Sequence, residues 1–244
     1  MSALPIDFPH VPLKNMDPSM LVFELDRAAH SLMPEAAELV TSAATMASFL
    51  HRRQTRFVRG GLPLVPYIEH PLRVALRLLR WGVQDPNLVA AALLHDVVED
   101  CSEELLSVFG QPNETALRCL ARLYGTELAQ HVQQVTNPAD VVDAASYQLH
   151  VAALAWSGTP AVLIKASDLK DNAGSIRHQL GYGQDARMLR LLRKYLPCVR
   201  EVSRSLNATD VEEMPALAWT AAAADLRRLT ADLQELAGEY SIAV

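Results

Sequence analysis

The segment LVAAALLHDVVED at 88–100 sets the folding problem for this chain. An apolar run passes without a break into His95, Asp96, Glu99 and Asp100. On a helix, residues three and four apart share a face. Leu88, Ala92, His95 and Glu99 then form one ridge, with Asp96 and Asp100 on the next. A helix apolar enough for a core therefore ends its inward face on one imidazole and three carboxylates. Left buried and unpaired, such groups cost several kcal/mol each. A divalent ion resolves this, because His with carboxylate suits Mn²⁺, Fe²⁺, Co²⁺ or Zn²⁺. So does a helix end that emerges into water, and this segment alone leaves both open.

Helical periodicity dominates the rest of the chain, and no convincing strand is found. Leu39–Leu50 reads as a helix. Pro71, with no N–H to leave unpaired, opens another that runs to Trp81 and stops at Gly82. Asp85-Pro86-Asn87 starts the 88–100 helix, and further helices are expected at 102–109, 114–135, 140–157, 160–173, 184–206 and 214–240. Pro197 should kink or split the 184–206 segment. VLIK at 162–165 could pass for a strand, but the polar spacing after it fits a helix better. The expected fold class is all-α, one domain: an N-terminal arm at 1–30, the main body at 31–206 and a C-terminal helix at 207–244. The last carries Ala222, Leu226, Leu229, Leu233, Leu236 and Tyr240 at helical spacing. That stripe is read as docking on its own core, with a homo-oligomer left open.

Composition removes several function classes. With 22 Lys+Arg against 28 Asp+Glu and a net charge of −6, the chain does not read as a nucleic-acid coat or a polybasic membrane binder. Its apolar runs fall short of a membrane span. Three widely spaced cysteines with no CxxC pair argue against a disulfide framework or a zinc ribbon, and a reducing cytoplasm is the expected location.

Two further segments add polar groups to the same theme. PYIEHP at 66–71 holds His70 against a helix-starting proline. IKASDLKDNAGS places Lys165, Asp168, Asn172 and Ser175 at spacings of three, four and three on one helical face. The apolar VLI before them suggests that this face is partly enclosed.

These strings, with HRRQTR at 51–56 and VTNPAD at 135–140, resemble the HD superfamily of metal-dependent phosphohydrolases. More closely they resemble the hydrolase domain of the RelA/SpoT family, which degrades the alarmones ppGpp and pppGpp. An Glu-Asp pair so soon after His-Asp is far more specific than His-Asp alone. The resemblance implies an all-α HD bundle in which His70, His95, Asp96 and Asp168 bind Mn²⁺. It implies that Glu99 and Asp100 orient and activate water, and that Arg56, Asn172 and Ser175 contact the nucleotide. Lys165, on the same helical face, is taken as a further substrate contact. The chain departs from the pattern at Phe57, where a basic residue is usual, in the lengthened 59–65 loop, at Ser167 for Ala and at Gly174 for Arg. These departures surround the nucleotide, so they bear on base and phosphate count.

The implied reaction is metal-dependent removal of the 3′-diphosphate of ppGpp or pppGpp, giving pyrophosphate and GDP or GTP. Two alternatives stand beside it: a phosphohydrolase for another nucleotide, such as ppApp or a deoxynucleotide, and a non-catalytic nucleotide sensor. The complete ligand and acidic set argues against the sensor. Because the protein is net acidic, the substrate's charge must be met locally, and Arg52, Arg53, Arg56 and Arg59 are the expected cluster.

Overall fold

The computed structural model describes residues 11–57, 64–208 and 216–242. Arg59 and residues 209–213 of the expected boundary lie outside them. Helix starts follow local chemistry. Asp17 accepts a hydrogen bond from the Met20 amide ahead of Pro18, so α1 (Pro18–Leu32) forms within the stretch assigned to an N-terminal arm. After α2 (Ala37–Leu50), a two-stranded antiparallel ribbon pairs β1 (Thr55–Arg56) with β2 (Val65–Pro66). The ribbon is absent from the sequence-based expectation, because two residues are too few to show an alternating pattern. Helix α3 (Glu69–Trp81) ends at Gly82, whose φ of +96° is the left-handed stop glycine adopts readily. Asp85 caps α4 (Pro86–Leu94) by accepting from the Asn87 and Leu88 amides.

The expected helix over 88–100 is broken. Beyond Leu94 the chain turns at His95 and Asp96 before a single helical turn, α5 (Val97–Asp100). The His95 ring nitrogen Nδ1 lies 2.8 Å from the Ala92 carbonyl, drawing the side chain back on its own helix end. Helix α6 (Ser102–Phe109) follows. The 114–135 segment is two helices, α7 (Ala116–Tyr124) and α8 (Thr126–Val135), separated by Gly125 at φ +93°. A capping box between Asp143 and Ser146 starts α9 (Ala144–Ala155), and α10 (Ala161–Ala173) follows.

Pro197 does not split α11 (Asp185–Ala208). A proline removes the hydrogen bond to the carbonyl four residues back, and here the Gln148 side chain of α9 donates to that Arg193 carbonyl at 3.2 Å. Helix α12 (Ala216–Glu239) buries Ala222, Leu226, Leu229, Leu233 and Leu236 against α11, α10 and α3, while Tyr240 beyond it is exposed.

The two helices carrying the polar motifs are the most enclosed. Every residue of α4 from Leu88 to Leu94 is buried, packed by α2, α3, α8 and α10. Helix α10 is surrounded by α3, α4, α8, α9, α11 and α12. Each fully buried leucine or valine contributes about 1.5–3 kcal/mol, so apolar packing anchors the helices whose ends and faces carry charge. Among the described residues, no helix is long and apolar enough to cross a membrane.

Candidate functional site

Three elements bring the predicted metal-binding residues together. His70 comes from the first turn of α3, His95 and Asp96 from the break after α4, and Asp168 from the middle of α10. Ligand atoms of His70, His95 and Asp168 lie within 4.8 Å of one another, and all three residues are buried. Asp96 touches both imidazoles, 3.5 Å from His70 Nε2 and 3.2 Å from His95 Nε2. Asp168 Oδ1 is 3.3 Å from His70 Nε2 and 4.0 Å from His95 Nε2. The Tyr67 hydroxyl donates to Asp96 Oδ2 at 2.6 Å, fixing the carboxylate from the strand side.

The tautomers follow from the outer hydrogen bonds. His95 Nδ1 faces a carbonyl and must carry a proton, which leaves Nε2 toward the carboxylates. That buried Nε2 makes no well-aligned hydrogen bond among the described residues, although Asp96 Oδ1 is 3.2 Å away. Burial pushes the His95 pKa down, but Asp96 and then Asp168 outweigh it and raise it to about 9. Burial also opposes ionisation of Asp168, yet Lys165 and His70 hold it well below the usual carboxylate range. The cluster thus demands positive charge between two imidazoles and two carboxylates, and a divalent cation fits that donor set.

Behind His70 lies a second charged cluster that sequence analysis did not anticipate. His70 Nδ1 donates to Asp171 Oδ2 at 2.8 Å. Arg73 donates to Asp171 Oδ1 at 2.8 Å and to Glu69 at 2.7 Å, and Arg77 reaches Asp171 at 3.4 Å. Arg77 also donates to the Ser167 carbonyl and hydroxyl at 2.8 and 3.0 Å, and that hydroxyl donates to the Val74 carbonyl. Asp171 and Arg73 are fully buried. Ser167, a departure from the resembled pattern, therefore serves this network.

A cavity of about 440 Å³ opens in front of the ligand cluster. Glu99, Asp100, Arg56, Lys165, Asn172 and Ser175 all line it. Both Glu99 oxygens accept from Asn137, one from its amide and one from its side chain, each at 2.7 Å. Burial, with the Asp96 and Glu99 charges, raises Asp100 to about 6. Lys165 donates to Asp168 Oδ2 at 3.2 Å, and Arg56 donates to the Asn172 side-chain carbonyl at 2.6 Å. The Ser175 hydroxyl is engaged internally: it donates to the Asp171 carbonyl and accepts from the Lys14 ammonium, each at 2.7 Å.

The expected arginine cluster does not form around the cavity. Arg52 pairs with Glu104 and lies over the Phe49 ring, and Arg53 is exposed and is not among the cavity residues. Only Arg56 of the described members reaches it, because the β1–β2 ribbon turns that residue inward. The remaining cations come from α11. Lys194 sits 4.0 Å above the Tyr147 ring and Arg187 5.7 Å above Phe57, and neither has a carboxylate partner among the described residues. Within a helix rich in charge, these two are indistinguishable by sequence from solvated neighbours such as Arg190 and Arg193.

No family model matches the chain. Curated proteins do. The guanosine-3′,5′-bis(diphosphate) 3′-pyrophosphohydrolase MESH1 of Homo sapiens is 33% identical over 135 residues, covering 55% of this chain and 66% of that protein. Its Danio rerio counterpart is 28% identical over 173 residues, 70% of this chain and 86% of the relative. The chain is similar to these 3′-pyrophosphohydrolases. A bacterial relative of the same name from Aquifex aeolicus is 31% identical over 147 residues. This chain spans only 18% of that protein's length and 20% of a Mycoplasma pneumoniae relative's.

Proposed function

We propose that the protein is a metal-dependent phosphohydrolase that removes the 3′-diphosphate of guanosine 3′,5′-bis(diphosphate) as pyrophosphate. The convergence of His70, His95, Asp96 and Asp168 on one buried, electron-rich point carries this reading. Those four residues would hold Mn²⁺, which when bound supplies a water of lowered pKa and a Lewis acid for phosphate oxygen. The names of the relatives supply the substrate class.

The chain's own groups divide the remaining work. Glu99, pinned by Asn137, is an immobile carboxylate that orients water. Asp100, held near 6, stands where a general base is most effective at neutral pH. Lys165 neutralises Asp168 and presents charge to the reacting phosphate. Arg56 and Asn172 hold the nucleoside, and the unpaired Arg187 and Lys194 meet the phosphates that are not cleaved. Phe57 gives a base an aromatic face, so the adenine alarmone ppApp is the second substrate to test. The test is a panel of ppGpp, ppApp, dGTP and ATP with Mn²⁺, with products identified by mass. Pyrophosphate with GDP or ADP, the 5′ phosphates intact, is the expected outcome. Consumption of the 5′-triphosphates alone would replace this reading with a general nucleotidase.

A further inference from the structure

At the other end of α4 from His95, a second group of ligand-type side chains meets. Asp85 is the α4 cap, while Glu127 and His131 stand four apart on α8, which packs on α4. Their ligand atoms lie within 4.8 Å of one another. His131 is only 9% exposed, yet neither of its ring nitrogens has a hydrogen-bond partner among the described residues. Leaving a buried polar atom unpaired is destabilising, so the ring is set for a ligand that the described residues do not supply. The two carboxylates are already positioned by Asn87, whose amide donates to Asp85 Oδ1 and whose side chain donates to Glu127 Oε2. Each carboxylate keeps its other oxygen free of these bonds.

We propose that Asp85, Glu127 and His131 form a second divalent-cation site that joins the start of α4 to α8. One imidazole and two carboxylates suit a borderline ion such as Zn²⁺, with water completing the shell. Asp85 and His95 flank the nine residues of α4, so this site stands about 15 Å along the helix from His95. Its existence does not depend on the proposed hydrolase activity. The probe is Zn²⁺ alone, with bound metal per chain measured after equilibrium dialysis of His95→Ala, in which the first cluster is disabled. That chain should retain one ion and lose it when His131→Gln is added. Glu127→Gln, at an exposed position that folding tolerates, should lower Zn²⁺ affinity about 10-fold or more. Zn²⁺ should also raise the thermal midpoint of the His95→Ala chain and leave that of the double variant unmoved. Equal Zn²⁺ content with and without His131, or an unchanged affinity without Glu127, overturns the site. Failure of the nucleotide panel would overturn the hydrolase reading and leave this result standing.

Discussion

The two nitrogens of the His70 ring face two buried charge clusters of similar size. On the Nδ1 side, Asp171 and Glu69 meet Arg73 and Arg77, so two carboxylates balance two guanidinium groups through short hydrogen bonds. On the Nε2 side, Asp96 and Asp168, with Glu99 and Asp100 nearby, face the Lys165 ammonium and the His95 imidazole, two cations against four carboxylates. The first cluster closes on itself. The second is left short of positive charge. The difference teaches where an ion belongs: beside the cluster that the chain does not neutralise. It also gives the closed cluster a role, because the Asp171 carboxylate fixes the His70 tautomer and leaves Nε2 facing the second cluster.

The largest expected effect comes from making the same change on either side of His70. Asp171→Asn leaves Arg73 and Arg77 buried beside a lost countercharge, which costs about 3–5 kcal/mol. Asp96→Asn gives up the pairing with His95, but that imidazole can lose its proton where a buried guanidinium cannot, so the cost in the metal-free protein should be smaller, about 1–2 kcal/mol. Denaturant unfolding of both variants without divalent ions checks this. Equal costs would mean that the two clusters do not differ in the way described. Asp171→Asn should also weaken cation binding about 10–100-fold through His70, which calorimetry reads directly.

Adding the missing charge should produce the next effect. Mn²⁺ at a hundred times its dissociation constant should stabilise the wild type by about 2.7 kcal/mol. Asp96→Asn should lose most of that gain, over and above its smaller loss of metal-free stability. A wild type whose unfolding ignores Mn²⁺, Zn²⁺ and Co²⁺ alike would remove the contrast between the clusters.

The open cluster was legible in sequence, with His70 and Asp168 joined to it through the family resemblance, and the closed one was not, for a physical reason. An imidazole and carboxylates at the end of an apolar helix are costly enough to call for an explanation from sequence alone. Arg73 and Arg77 are not: four apart in an amphipathic helix, they read as a solvated stripe. They are buried because α3 packs against α10, which carries Asp171, and no local pattern encodes that meeting. The all-α class was likewise readable from helical spacing. The break at His95–Asp96 was not, because it rests on the bond from His95 to Ala92. The cations of the cavity were misplaced onto Arg52 and Arg53, since a run of arginines does not reveal which one a two-residue ribbon turns inward.

The smallest effect concerns Asp100, at the edge of the open cluster. Burial and the neighbouring carboxylates hold it at about 6, against an ordinary value of 3.8. The folded protein therefore binds more protons than the unfolded chain between pH 4 and 6, and stability falls as pH rises through that window. Above it the ionised side chain is a constant burden, about 1 kcal/mol once its partial exposure to solvent is allowed for. Asp100→Asn should then be more stable than wild type at pH 7 by that amount, with the gain vanishing near pH 4. Hydrolysis should change in the opposite sense: the wild type should gain rate as pH rises through the Asp100 titration, and the variant should be slow at every pH. Excess Mn²⁺ should shrink the stability difference, because a bound cation offsets the carboxylate repulsion that raises Asp100. If Asp100→Asn is neutral at pH 7 with or without the ion, the negative charge of the open cluster does not extend to Asp100, and the proton must be handled by Glu99 alone.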